Sequence, residues 1–461
     1  MEGSTQLRAS HTELSEVDWQ FRELAQHDPE LLSRATFQEI DQPNIGIMGQ
    51  IQPWPTFVRR AKIQELAEAS IAVSQLIQSI PERVFQNDLQ RIAEYYMFRN
   101  PEHIAQLAPP PHGLPGLVSR ADFVYHDSRF QCLECNMAAN LGGWNIGIIA
   151  AALRRVPVIR RFLSQLDRTV SITDTAQALL GNIVDDVRTV EGDTDEIHIA
   201  IGAAGKLDAS RGPTIRRFLD QVYAGVLRSV DPALKGSILF SDYSDLALRQ
   251  SALYAGGKRV HALVEFHPGP SRELSYQASR AGKLRLYNGP IKFALSDKRT
   301  LALLSERSES ELFDEKERVI IRNHIPWTRR VTAEESTYEG KTVSLRDFLL
   351  AERGRMVMKR AYSSAGRGVV IGKTTPKQEW SEAVERAIAD RGWVVQEYVE
   401  SLPYLYQEGD HGCSPYDLIW GPFVFGTTYG GTIARMRPKH MEATVDISQG
   451  FQKGIVFEVD A

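Results

Sequence analysis

The stretch Ser119–Asn136, SRADFVYHDSRFQCLECN, alternates polar and apolar residues with period two on both sides of the short turn His126-Asp127-Ser128-Arg129. That alternation predicts an antiparallel β-hairpin. Folded about Ser128, it sets Asp122 opposite Glu134 and Arg120 opposite Asn136. Directly opposed residues on one face stand about 5 Å apart at Cβ. One face then carries Arg120, Asp122, Glu134 and Asn136, while Ala121, Phe123, Leu133 and Cys135 point to the other. Two carboxylates and an amide oxygen on a rigid sheet beside an arginine suit a hard divalent cation and the phosphates it carries. An amphipathic edge hairpin with a cross-strand ion pair is the plainer alternative.

Composition narrows the classes. The chain has 461 residues, 43% hydrophobic and 24% charged, enough for two to four domains at ~100–200 residues each. A net charge of −4 leaves no footprint for non-specific nucleic-acid binding. The polar, acidic start MEGSTQLRASHTELSE lacks the layout of a signal peptide. The longest apolar run, near Ile146–Leu153, falls far short of the ~20 residues of a membrane span. Neither nucleic acid nor membrane is therefore an expected partner. Three cysteines suit a reducing, cytoplasmic setting. Cys132 and Cys135 form a C-x-x-C, but odd separation on a strand sends them to opposite faces. Two packed thiols are expected there, not a redox or zinc pair.

Residues 12 to about 107 read as helical. Phe57–Phe98 continues that pattern across a break at Ile80-Pro81, where a new helix can start. Ala108-Pro109-Pro110-Pro111-His112-Gly113 marks a boundary. After the hairpin, Gly142-Gly143-Trp144 leads into a helix over Ile146–Leu153. From Glu196 the texture becomes α/β: strand-like runs at Ile197–Gly202, Ser237–Phe240, Arg259–Phe266 and Leu284–Tyr287 alternate with helical stretches Thr214–Arg228 and Tyr243–Tyr254. That order predicts a small parallel unit, with ligand contacts at the carboxyl ends of its strands. Gly202–Lys206 lies at such an end but lacks the G-x-G-x-x-G spacing of a dinucleotide site.

A second informative segment closes the chain. Met356–Arg360 is a strand that runs through Ser363-Ser364-Ala365-Gly366-Arg367-Gly368 into a second strand, Val369–Ile371. A lysine beside such a loop can cradle phosphates, with backbone N–H groups around the anion and Lys359 neutralising it. A plain hairpin explains the loop as well. A helix over Gln378–Asp390 leads to Trp393–Val399, an apolar strand ending in Gln396-Glu397-Tyr398-Val399. That end can offer backbone groups to a purine and Glu397 to a ribose. Phe423–Tyr429, Gly430–Arg437 and Ile455–Val459 read as further strands with a glycine turn.

Lys298, Lys359 with its Ser-Ser-Ala-Gly-Arg-Gly-Val loop, and Gln396–Val399 together resemble the nucleotide half of the ATP-grasp superfamily. The Arg120-x-Asp122 and Glu134-x-Asn136 elements come before that loop. This order resembles the circularly permuted branch typified by the synthetase domain of glutathionylspermidine synthetase. The resemblance covers roughly 115–160 and 290–461. It implies a multidomain α+β and α/β chain: a permuted ATP-grasp fold with a small parallel, pre-ATP-grasp-like domain and an N-terminal helical region. The expected divisions are 1–112 (helical), 113–195 (metal-binding hairpin and following helices), 196–295 (small α/β, substrate side) and 296–461 (nucleotide-binding).

Carried over by residue, the resemblance implies Mg²⁺ on Asp122, Glu134 and Asn136, and Arg120 on the terminal phosphate and the activated carboxylate. Lys298 and Lys359 would bind ATP phosphates, and the loop Gly366, Arg367, Gly368 and Val369 would close over them. Gln396, Glu397, Tyr398 and Val399 would form the adenine hinge. Arg435 would bridge acyl phosphate and acceptor, with Arg437 competing for that place. The implied reaction joins a small-molecule carboxylate to an amine, amino acids or peptides among the candidates, through an acylphosphate with release of ADP and phosphate. Acyl transfer to a carrier-protein thiol and a non-catalytic nucleotide-binding homologue are the alternatives. A dinucleotide oxidoreductase or a glycosyltransferase comes a distant third.

Overall fold

The computed structural model describes residues 2–27, 50–113, 117–138, 143, 145–202, 212–265, 272–363, 368–408, 412–441 and 451–460. A sheet built from both ends of the chain organises them. Its main path runs Gln50–Ile51, Gln452–Val459, Thr428–Pro438, Gly412–Phe425, Val118–His126, Arg129–Asn136. Tyr404–Glu408, Thr56–Arg59 and Val170–Ser171 add to it off that path. One face packs on the helix Arg60–Arg83, whose Ile63, Leu66, Val73, Leu76, Ile77 and Ile80 fall on one stripe. Ser74 meets Ser119 at 3.0 Å and Lys62 meets the Tyr125 hydroxyl at 2.9 Å, which fixes helix against hairpin. Ser119, Ala121, Phe123 and Tyr125 therefore face the core, and Arg120 and Asp122 the other way.

The expected hairpin forms, with a correction. Its turn has two residues: Asp127 and Ser128, at φ 45° and 58°, link His126 to the partner Arg129. Paired left-handed residues match the twist of the flanking strands. Pairing then runs to Phe123 opposite Cys132 and slips, so that Asp122 faces Glu134 and Arg120 faces Asn136. Leu133 is the extra residue of a bulge. The bulge restores the register expected for the four polar residues and overturns the one expected for the thiols. Cys132 and Cys135 sit opposite Phe123 and Ala121, on one face, and both are buried in the core.

The parallel unit is present: Arg285–Tyr287, Ala262–Glu265, Glu196–Gly202 and Lys235–Ser241 pair in that order, all parallel. The expected helix Tyr243–Tyr254 is not. A 3₁₀ turn, Tyr243–Asp245, precedes the strands Leu246–Arg249 and Ala252–Ala255. Leu246–Arg249 buries its residues with period two, and Gln250 and Ser251 turn the chain at φ 49° and 64°. Short apolar runs do not distinguish the two periods. The run Arg259–Phe266 likewise divides, Lys258–Val260 extending that hairpin and Ala262–Glu265 entering the parallel sheet.

A separate antiparallel sheet orders Thr328–Arg330, Trp393–Glu397, Met356–Arg360 and Val369–Ile371. Trp380 and Val384 of the helix Lys377–Asp390, with Leu349, pack on its Met356, Met358 and Val395. Three further boundaries differ from expectation. Thr56–Arg59 is a strand, so the long helix starts at Arg60, and Pro81 lies in its last turn, where the Val84 N–H still reaches the Ile80 carbonyl. The C-terminal turn falls at Gly426, at φ 60°, and not at Gly430-Gly431. Among the described residues no helix is long and apolar enough to cross a membrane.

The N-terminal helices are tied to the sheet by a buried polar network. The Leu405 N–H donates to His11 Nε2 at 2.7 Å, so His11 Nδ1–H donates to Asp18 Oδ2 at 2.5 Å. Asp18 Oδ1 accepts from Arg22 (3.0 Å) and from the Phe57 N–H (2.6 Å), and Arg22 also donates to the Pro55 carbonyl at 2.7 Å. Breaking a buried pair by removing one partner costs about 3–5 kcal/mol. Asp18→Ala should lower stability by that order, read as a fall in the urea unfolding midpoint.

Candidate active site

On the sheet face turned away from the helix Arg60–Arg83, Asp122 lies between two arginines. Arg120 Nε stands 3.5 Å from its Oδ1, and Arg435 pairs with its Oδ2. Burial alone would raise the Asp122 carboxyl, and Arg435 and Arg120 outweigh it, holding the group below the usual carboxylate range. Gly421 leaves room for this: a Cβ there would stand 3.1 Å from Arg120 Cδ. Arg437 turns elsewhere, 3.7 Å from Asp417. Of the two late arginines, Arg435 is the one in contact with Asp122.

Two lysines reach the same hairpin from residues far along the chain. Lys298 Nζ lies 3.4 Å from Glu134 Oε1 and donates to the Ser363 carbonyl at 2.9 Å. Its own N–H donates to the Ala361 carbonyl (2.9 Å), and the adjacent Asp297–Arg299 pair anchors it to the Tyr96 carbonyl. Lys359 Nζ donates to Gln396 Oε1 at 2.6 Å and to the Leu133 carbonyl at 3.2 Å. Gln396 Nε2 donates to Thr328 Oγ1 at 3.1 Å, which fixes the amide so that its oxygen meets the lysine. The bulge supplies the acceptor, since a bulged residue leaves the ladder. Burial, with Lys298 close by and Glu134 opposing, pushes the Lys359 amine down to about 8.

Arg120, Asp122, Glu134, Lys298, Lys359, Gln396 and Arg435 thus converge, and Asn136 is registered opposite Arg120. Val369 pairs with Lys359, and Gly368 turns the chain before it at φ 71°. Gly366 and Arg367 lie outside the described residues, as do Gly142, Trp144 and residues 203–206. The expected hinge segment is held by its own contacts. The Glu397 carboxylate accepts from Tyr338 (3.1 Å) and Arg355 (2.9 Å), so it is engaged away from the lysines. The Glu397 and Tyr398 N–H groups donate to the carbonyls of Trp327 and Arg355, and Val399 follows them.

Sequence reasoning missed the Leu133 carbonyl and Lys453. Lys453 is registered directly opposite Arg435, and burial, Arg120 and Arg435 all lower its amine. Its one signal was a lysine leading into the apolar run Ile455–Phe457. Among the described residues no three His, Cys, Asp or Glu side chains group as metal ligands. The donor set on offer is two carboxylates and the Asn136 amide, all oxygen. An oxygen-only set suits a hard divalent cation, and Asp122 Oδ1 has only the 3.5 Å approach of Arg120 Nε beside it.

No protein-family model matches the chain, and no curated protein matches it in sequence. Among solved structures, a glutathione synthetase-like effector from Globodera pallida, in apo form, superposes with a TM-score of 0.60 at 11% identity, covering 94% of this chain and 98% of that one. This chain shares its fold. The mixed α/β, several-sheet architecture therefore has a solved counterpart along nearly its whole length. A γ-glutamylcysteine synthetase candidate from Methylobacillus flagellatus overlaps more loosely (TM-score 0.40, 11% identity, 89% and 90% covered). So does a D-alanyl-alanine synthetase A from Vibrio cholerae (0.26, 13%, 58% and 89%).

Lys359 gives a pH test. Folded, it sheds its proton near 8; unfolded, it does so near its ordinary ~10.4. Between those values the unfolded chain binds more protons, so stability rises with pH across that window. The wild type should show this rise and Lys359→Met should lack it, with denaturant unfolding at a series of pH values as the measurement.

Proposed function

We propose that the chain is an ATP-dependent carboxylate–amine ligase of circularly permuted ATP-grasp type, forming an amide through an acylphosphate with release of ADP and phosphate. One observation carries the reading: Lys298 and Lys359 meet the Glu134–Leu133 side of a hairpin whose Asp122 holds Arg120 and Arg435. Four cations, Arg120, Lys298, Lys359 and Arg435, stand with two carboxylates, a balance suited to polyphosphate and carboxylate ligands. The shared fold supports the reading at the level of architecture.

Asp122 Oδ1, Glu134 and Asn136 would hold Mg²⁺, which when bound draws negative charge from phosphate oxygens. Lys298 and Lys359 take the phosphates. Lys359 arrives pre-positioned by Gln396, so little ordering is left for the moment of binding. Arg120 and Arg435, fixed by one shared carboxylate, neutralise charge that grows as the substrate carboxylate attacks the terminal phosphorus and the amine then displaces phosphate. The protein supplies position and charge, and no side-chain nucleophile is required. The small α/β unit and the N-terminal helices would present the acid and the amine. A cytoplasmic setting completes the proposal.

Pooled acids and amines assayed for ADP release test the ligase class, and thiols in place of amines test transfer to a carrier protein. Glu134→Ala and Asp122→Ala should each lower ATP turnover about a hundredfold or more, the order expected for a lost transition-state partner, with the circular dichroism spectrum kept. Wild-type turnover in either variant would refute the assignment. Lys359→Ala should weaken an ATP analogue roughly tenfold to a hundredfold in calorimetric titration, as a lost charged hydrogen bond does.

A further inference from the structure

The central sheet sets the candidate groups in a fixed lateral order. Glu134, with Lys298 and Lys359 docked beside it, stands on the outer hairpin strand. Arg120 and Asp122 follow on the next strand, Arg435 lies two strands further along, and Lys453 lies on the strand beyond that. Adjacent strands lie about 4.8 Å apart. Asp122 is shared by Arg120 and Arg435. Lys453 has no carboxylate within ion-pair distance among the described residues, and its charged neighbours are those same two arginines. Like charges placed side by side on one face repel unless an anion joins them. The phosphate-side lysines dock on the strand at the opposite end of the row, four strand spacings from that of Lys453.

We propose that Lys453 is a specificity residue that binds a substrate carboxylate distinct from the one being activated, one strand spacing from Arg435. This rests on the ligase reading above, and it makes the acceptor an amine that carries a free carboxylate, not a polyamine or an uncharged amine. Lys453 touches substrate without touching the reacting atoms. Its loss should raise the KM for such an acceptor far more than it lowers kcat.

The experiment has two arms on the full-length protein. In the first, an amine-reactive acetylating reagent labels Lys453, read by mass spectrometry, with succinate or the uncharged succinamide present. Succinate should protect Lys453 and succinamide should not; equal labelling under both would overturn the proposal. In the second, ADP release is measured with amino acids and with their amides as acceptors. Lys453→Gln should raise the KM for amino acids roughly tenfold to a hundredfold, the range for a lost hydrogen bond to a charged group, and leave that for the amides in place. Lys453→Arg should recover most of the loss. An unchanged preference in Lys453→Gln would overturn the proposal. Protection by succinate without ADP release from any acceptor would instead keep the anion site and defeat the ligase reading.

Discussion

A lysine ammonium held in a buried place by two neutral oxygens is costly, and the fold is arranged around tolerating that cost at Lys359. One acceptor, Gln396, belongs to the lysine's own sheet; the other, the Leu133 carbonyl, belongs to the hairpin. The contact exists only if the two sheets keep a fixed distance. Lys298 repeats the bridge to Glu134, and the Asp297–Arg299 brace against the Tyr96 carbonyl stops that bridge from drifting. Neither lysine has a strong counter-ion. That leaves charge only partly answered, the arrangement that the proposed binding of ATP phosphates calls for, since preorganised charge needs no reorganisation when ligand binds.

Much of this was legible in the sequence where the signal is local. Period two marks the hairpin, and the apolar stripe of Arg60–Arg83 marks its covering helix. The alternation after Glu196 marks the parallel unit, and the strands around Lys359 and Gln396 emerge at their expected places. Local signals failed where two periods fit one short run, as at Tyr243–Tyr254, and where a single residue changes register. Leu133 is such a residue. Nothing in QCLECN distinguishes a bulge from a straight strand, yet the bulge decides which side the thiols face and where a backbone oxygen becomes available.

The candidate site was legible as a list of residues and not as a set of contacts. Asp122 and Glu134 could be paired by arithmetic, but their partners Arg435 and Lys298 come from strands and helices more than 160 residues away. Glu397 shows the converse. The sequence suits it to a ribose, and only the fold reveals its partners Tyr338 and Arg355. Lys453 was invisible because its meaning comes from the strand beside it.

The central sheet also bears on how the protein is made. The hairpin Val118–Asn136 is translated early, but its neighbour in the sheet, Gly412–Phe425, follows by nearly three hundred residues, and Gln452–Val459, which pairs with Gln50–Ile51, later still. The helix Arg60–Arg83 must therefore wait on the ribosome with its apolar stripe facing an unfinished sheet. At about 5–20 residues per second that interval lasts tens of seconds. Long-range pairing of this kind folds slowly and exposes strand edges meanwhile. The topology that gathers the charges into one row thus makes the nascent chain a natural client for chaperones.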